Sequence, residues 1–215
     1  MSLAPRCPSC RRFIYLDTLE CPDCSTEVGL RIIDHLFVGI RDGRAVIDGV
    51  TWYACSERDW GCNWLVREDA PAGRCFACRL TRTRPDAADT IALEQLAKTE
   101  ESKRRLILQL ADLGLPVVPW DVQPGGLGFD LISSRSDGTR VITGHANGII
   151  TIDLAENLDD VREALRVRLG EPYRTMLGHL RHESGHYFQN VLVTDEATWA
   201  RCRDLFGDER ASYRG

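Results

Sequence analysis

Three groups of side chains in this 215-residue chain have the types and spacing to do chemistry. The first is Cys7-Pro8-Ser9-Cys10 followed, ten residues on, by Cys21-Pro22-Asp23-Cys24. Each C-x2-C pair forms a tight turn that points two thiolates at one ion, and two such turns complete a tetrahedron. Thiolate sulfur selects zinc, or iron in a rubredoxin-like site, over magnesium or calcium. The second group is Cys55, Cys62, Cys75 and Cys78, spaced C-x6-C-x12-C-x2-C. Only its last pair has knuckle spacing, yet these four remain once the first site is filled, so a second closed zinc site is expected. Neither set leaves a coordination position open, so both are read as structural. They replace the core that so short a segment cannot build.

The third group is His182-Glu183-Ser184-Gly185-His186, the pattern H-E-x-x-H. On a helix, positions i and i+4 share a face, so both imidazoles can hold one catalytic zinc. Glu183, beside the first ligand, is then placed as general base: it takes a proton from a metal-activated water and passes it to a leaving amine. The metal acidifies the water and polarises the scissile carbonyl. Gly178 and Gly185 cost helix stability and are read as allowing close packing around the metal. His179 is read as a packed or hydrogen-bonded histidine rather than a ligand. His35 and His145 are assigned nothing, and Cys202 is read as a buried small hydrophobe. A catalytic zinc needs a third protein ligand. The continuation with Gly at 189 and His at 192 is absent, because Gln189 and Leu192 stand there. Asp208 and Glu209, just past a helix end at Gly207, are the candidates within the chain.

These residues must be positioned by the elements around them. Eight of the nine cysteines lie within residues 7–78, and 79–89 is a polar stretch with Pro85 that reads as a linker. Residues 90–113 carry a helical apolar period (Ile91, Leu93, Leu96, Leu106, Leu110, Leu113) ended by Gly114 and Pro116. Strands are expected over 127–133 and 140–154, the second turning at Asn147-Gly148. Helices follow at Asp159–Leu169, from Pro172 to about Leu192, and at Asp195–Phe206. This is an α+β pattern. It divides as a zinc ribbon at 1–30, a second cysteine-rich module and linker at 31–89, and the H-E-x-x-H domain with its small sheet at 90–215.

The assembled motifs resemble a bacterial family of zinc-dependent metallopeptidases that carry an N-terminal zinc ribbon. The match rests on the first four cysteines, on Cys62-Asn63-Trp64-Leu65-Val66, and on Cys75-Phe76-Ala77-Cys78-Arg79-Leu80. It continues through Arg82-Thr83-Arg84-Pro85-Asp86, Thr143-Gly144-His145, Ile149-Ile150-Thr151-Ile152, Tyr173-Arg174-Thr175-Met176-Leu177-Gly178-His179 and Phe206-Gly207-Asp208-Glu209-Arg210. The resemblance implies a zincin-like domain with His182 and His186 as ligands and Glu183 as base. It departs after His186, where Tyr187-Phe188-Gln189-Asn190 replaces the family's usual second Tyr and Trp-Asp. Family members also run on into a Trp- and acid-rich helical segment that the resemblance implies would supply the third ligand. This chain stops at Ser212-Tyr213-Arg214-Gly215, so a fragment or short variant is expected.

Composition narrows the function. A formal charge of −5 and twelve Arg against thirteen acids in residues 1–89 argue against nucleic acid. No apolar run approaches a membrane span, and Met1-Ser2-Leu3-Ala4-Pro5-Arg6 lacks the core of a secretory signal. A cytoplasmic protein with reduced thiols is expected. The leading expectation is a metallopeptidase acting on a peptide or protein substrate, held by β-addition along an edge strand at Ile149–Ile152. The alternative is a non-catalytic zinc-binding module that recruits a protein partner through its ribbon.

Overall fold

The computed structural model describes residues 4–137, 141–157, 175–208 and 210. The predicted helix at Asp159–Leu169, the start of the next one at Pro172, and Glu209 lie outside the described residues.

The chain opens with two cysteine knuckles of matching construction. The Arg11 N–H donates to the Cys7 carbonyl and the Ser25 N–H to the Cys21 carbonyl, and Arg11 and Ser25 both adopt positive φ. Strands β1 (Val28–Arg31) and β2 (Leu36–Gly39) form an antiparallel hairpin. A second antiparallel sheet has the order β3 (Arg44–Ile47), β4 (Val50–Ala54), β5 (Leu65–Val66). A one-turn helix α1 (Phe76–Arg79) carries the last knuckle. Asn63 ties the two modules together by donating its side-chain amide to the Leu16 and Thr18 carbonyls.

The stretch predicted as a linker carries a strand instead. β6 (Thr81–Thr83) pairs in parallel with β7 (Gly128–Ile132). Leu80 and Thr81 are buried, and Arg82 pairs with Asp130. A polar sequence with no apolar period can still form an edge strand when only its first residues face a core. The four-stranded sheet has the order β6-β7-β9-β8, with β8 (Gly144–Ala146) and β9 (Ile149–Asp153) joined at Asn147-Gly148, both at positive φ. That is the chemistry an Asn-Gly hairpin turn requires. The expected substrate edge at Ile149–Ile152 is therefore corrected. β9 is an interior strand, paired with β7 on one side and β8 on the other. Its β-branched run reflects burial on both flanks.

Helix α2 (Thr90–Asp112) is the spine of the molecule. Asp89 caps it by accepting the Ala92 N–H at 2.9 Å and also takes the Ser133 and Ser136 hydroxyls. A short helix α3 (Ser134–Asp137) follows β7. Helix α4 (Met176–Leu192) packs along α2 and buries Leu180, Ser184, Tyr187 and Phe188. One continuous core runs from Cys7 through Phe188, so the metal modules and helices α2 and α4 bury their apolar faces together. Helix α5 (Glu196–Phe206) opens with a capping box at Asp195 and buries none of its residues. Cys202 on α5 is thus half-exposed, against the expectation of a buried thiol.

The charged middle of α2 does not face water. Lys103 is 0% exposed and Glu100 3%. The Lys103 ammonium lies 2.7 Å from Glu100 Oε2 and donates to Thr81 Oγ1, which donates in turn to Glu100 Oε1. Lys103→Met would leave an uncompensated carboxylate in the core and is expected to cost about 3–5 kcal/mol. Lys103→Met combined with Glu100→Gln should recover most of that loss in urea unfolding. Equal losses in the single and double variants would refute the pair's role.

Candidate metal centres

The first four cysteines converge with all four sulfurs within 4.8 Å of one another. Cys7 and Cys24 sulfurs are 3.6 Å apart, and Cys10 and Cys21 are 3.7 Å apart. Zinc–sulfur bonds of about 2.3 Å at tetrahedral angles place sulfurs about 3.8 Å apart. The donor set fits zinc. Cys24 is held down to about 6 by the Thr26 hydroxyl and backbone N–H. Cys10 is pushed up to about 12: the Arg12 N–H opposes the shift, while burial and the neighbouring thiols drive it.

Cys55, Cys62, Cys75 and Cys78 converge in the same way, and all four are buried. Cys62 and Cys75 sulfurs are 3.6 Å apart. The Cys75 N–H donates to the Cys55 sulfur and the Cys78 N–H to the Cys75 sulfur, bonds that favour thiolates. The neighbouring thiols of Cys62, Cys75 and Cys78 hold Cys55 well below the ordinary thiol range. Burial and the thiols of Cys55, Cys62 and Cys78 push Cys75 up. One negative charge is welcome in this dry tetrad and further ones repel, which a dication relieves.

Helix α4 brings the H-E-x-x-H residues together. Thr175 caps it by accepting the Gly178 N–H at 3.0 Å. The Nε2 atoms of His182 and His186 are 3.2 Å apart, with the rings edge to face. Metal–nitrogen bonds of about 2.05 Å at tetrahedral angles need about 3.3 Å, so the pair has the bite of a chelate. Both imidazoles sit on the exposed face, while Glu183 turns to the buried side and is only 7% exposed. His179 Nε2 lies 3.5 Å from Glu183 Oε1, a turn earlier on the same helix. Gly185 is exposed between the two histidines, and a Cβ there would meet nothing within 4 Å. Close packing is therefore not why glycine stands at 185. Gly185→Ala is expected to raise stability by up to about 1 kcal/mol, read as a higher midpoint in thermal unfolding. A lower midpoint would count against this picture.

Among the described residues, no third His, Cys, Asp or Glu donor joins His182 and His186 in one cluster. Asp208 is exposed and grips Arg210 at 2.8 Å, contacts that hold its carboxyl below the ordinary range. It is committed to that arginine and is not gathered at the histidines. The residue that sequence reading left out is His145. It lies on β8, which packs on α4, and its ring meets Tyr187 edge to face at 6.1 Å between centroids. Burial lowers its pKa, the His186 imidazole adds to that, and Glu183 opposes both. Its Nε2 accepts the Gly148 N–H, which leaves Nδ1 to carry the proton of the neutral ring. No spacing rule links 145 to 186; only the hairpin's place against α4 does.

A family model described as "zinc-ribbon domain" matches residues 5–89, and one described as "Putative zinc-binding metallo-peptidase" matches residues 92–215. Uncharacterized proteins of Mycobacterium bovis and Mycobacterium tuberculosis are each 40% identical over 210 residues, which is 96% of this chain and 59% of theirs. The chain thus spans 59% of the length of these curated relatives. No solved structure matches it. No helix among the described residues is long and apolar enough to cross a membrane. Because this second model matches more than half of its length, the chain belongs to the family described as "Putative zinc-binding metallo-peptidase".

Proposed function

We propose that the protein hydrolyses peptide bonds at a zinc held by His182 and His186, with Glu183 as general base. The observation that carries this reading is the 3.2 Å approach of two imidazole nitrogens beside a buried carboxylate on one helix. Zinc at such a pair supplies Lewis acidity, polarising a carbonyl and acidifying water. Glu183 takes the proton of the attacking water and returns it to the departing amine. His179, 3.5 Å away, orients the carboxylate. β8, the edge of the sheet among the described residues, offers backbone donors and acceptors in place of β9 to an extended peptide or protein substrate next to α4. The two cysteine tetrads are structural zinc sites that hold the modules against α2. The site of action is the cytoplasm, where the nine cysteines stay reduced.

A second reading has one observation in its favour: no third donor joins the two histidines among the described residues. On that reading the chain is a non-catalytic zinc-binding module that recruits a protein partner through its ribbon. A peptide library digested by the native chain but not by Glu183→Gln supports the peptidase. Identical peptide profiles with and without the native chain would refute it for this chain.

A further inference from the structure

The hairpin of β8 and β9 presents one residue, His145, both to the edge of the sheet and to the H-E-x-x-H helix. Ala146 and Ile149 close the two-residue turn, so theirs is a hydrogen-bonded pair of the ladder. Antiparallel pairs alternate, so the next pair, His145 and Ile150, exchanges no backbone hydrogen bonds. The His145 N–H and C=O therefore point away from β9, to the side where no strand pairs among the described residues. Gly144 and Ala146, the other two residues of β8, turn theirs inward to β9.

The side chain of His145 lies on the helical face of the sheet. Cross-strand partners share a face, and its partner Ile150 is fully buried. The half-buried ring packs edge to face on Tyr187, the residue after His186 on α4. It is near enough to the site that the charges of His186 and Glu183 both act on it. The Gly148 N–H donates to Nε2 at 3.2 Å, which fixes the ring and leaves the proton of the neutral tautomer on Nδ1. That Nδ1–H meets no acceptor among the described residues. A neutral donor, held from two sides and left unspent, thus stands beside the paired imidazoles.

We infer that His145 holds the substrate at this site: its backbone pairs with one residue of an extended peptide, and its Nδ1–H donates to the oxygen of the scissile carbonyl as that oxygen gains negative charge. This rests on the peptidase reading above. Backbone pairing treats ground state and transition state alike, whereas a fixed donor to a developing oxyanion favours the transition state. The ring is a donor and not a metal ligand, because Nε2 is spent on Gly148 and Nδ1 carries the proton.

Two substitutions in the zinc-loaded full chain separate this role from a structural one. His145→Gln keeps an acceptor near Nε2 and removes the Nδ1–H, while His145→Asn can place a donor near Nδ1. On the best-cleaved peptide of a library, His145→Gln should lower kcat about 10²–10³-fold and leave KM within about threefold. A phosphinic analogue of that peptide, whose charged tetrahedral oxygens mimic the transition state, should bind His145→Gln about 10–100-fold more weakly in isothermal titration. His145→Asn should regain part of both losses. Zinc per chain should stay native in both variants, and the analogue should slow hydrogen exchange at the His145 amide of the native chain. Undiminished kcat or analogue affinity in His145→Gln overturns the role of His145 alone, as does unchanged amide exchange. So does zinc lost from His145→Gln, which would make the ring a ligand, or the same loss in both variants. A native chain that cleaves no peptide overturns the peptidase reading and this role together.

Discussion

Cys75→Ser is expected to release the second structural zinc and to unfold the N-terminal half of the chain. Cys75 is 3% exposed, supplies a sulfur to the tetrad, and accepts the Cys78 N–H as the N-cap of α1. Structural zinc contributes about 10–16 kcal/mol in small zinc-finger peptides, while a whole domain is stable by only about 5–15 kcal/mol. One lost thiolate leaves three sulfurs crowded in a dry pocket with no closed shell. The damage spreads, because Ala77 and Leu80 beside the knuckle belong to the same core as α2. Cys24→Ser should be milder, since Cys24 is exposed. Zinc per chain by elemental analysis and the near-ultraviolet signal of the module's tryptophans, Trp52, Trp60 and Trp64, report the outcome. A native signal with full zinc in Cys75→Ser would contradict it. Acid should act in the same direction. Burial and neighbouring thiols raise Cys75, so the empty tetrad holds protons that zinc must displace, and zinc is lost as pH falls.

Glu183→Gln is expected to lower peptide cleavage by about 10²–10⁴-fold while leaving zinc content unchanged. The replacement keeps the size of a side chain that is 7% exposed, and it keeps an oxygen for His179 to meet. It removes only the capacity to carry a proton. A merely structural glutamate would instead show unchanged turnover once folded. Cleavage surviving in Glu183→Gln would dismiss it as the base.

Much of this arrangement was legible in the sequence because it rests on short-range spacing. The C-x2-C knuckles, the i,i+4 histidines and the Asn147-Gly148 turn all act within a few residues. What escaped depends on contacts across the fold. The order β6-β7-β9-β8 makes Ile149–Asp153 interior, and a β-branched run cannot reveal which strand ends a sheet. Thr81–Thr83 pairs with a strand more than forty residues away, so a polar stretch read as a linker becomes part of the core's boundary. His145 reaches the α4 site only through a hairpin. Lys103 looks like a solvated charge until Glu100 and Thr81 close around it. Cys202 lies on an apolar period, but α5 has no partner surface among the described residues.

The central claim is a third metal at His182 and His186, separate from the two cysteine tetrads. Zinc counted per chain by elemental analysis, with peptide cleavage read on the same samples, tests it most directly. The native chain and Glu183→Gln should each hold three zinc ions, one more than the two cysteine sites account for. The double variant His182→Ala with His186→Ala should hold two and cleave nothing. Two zinc ions in all three proteins would contradict the account.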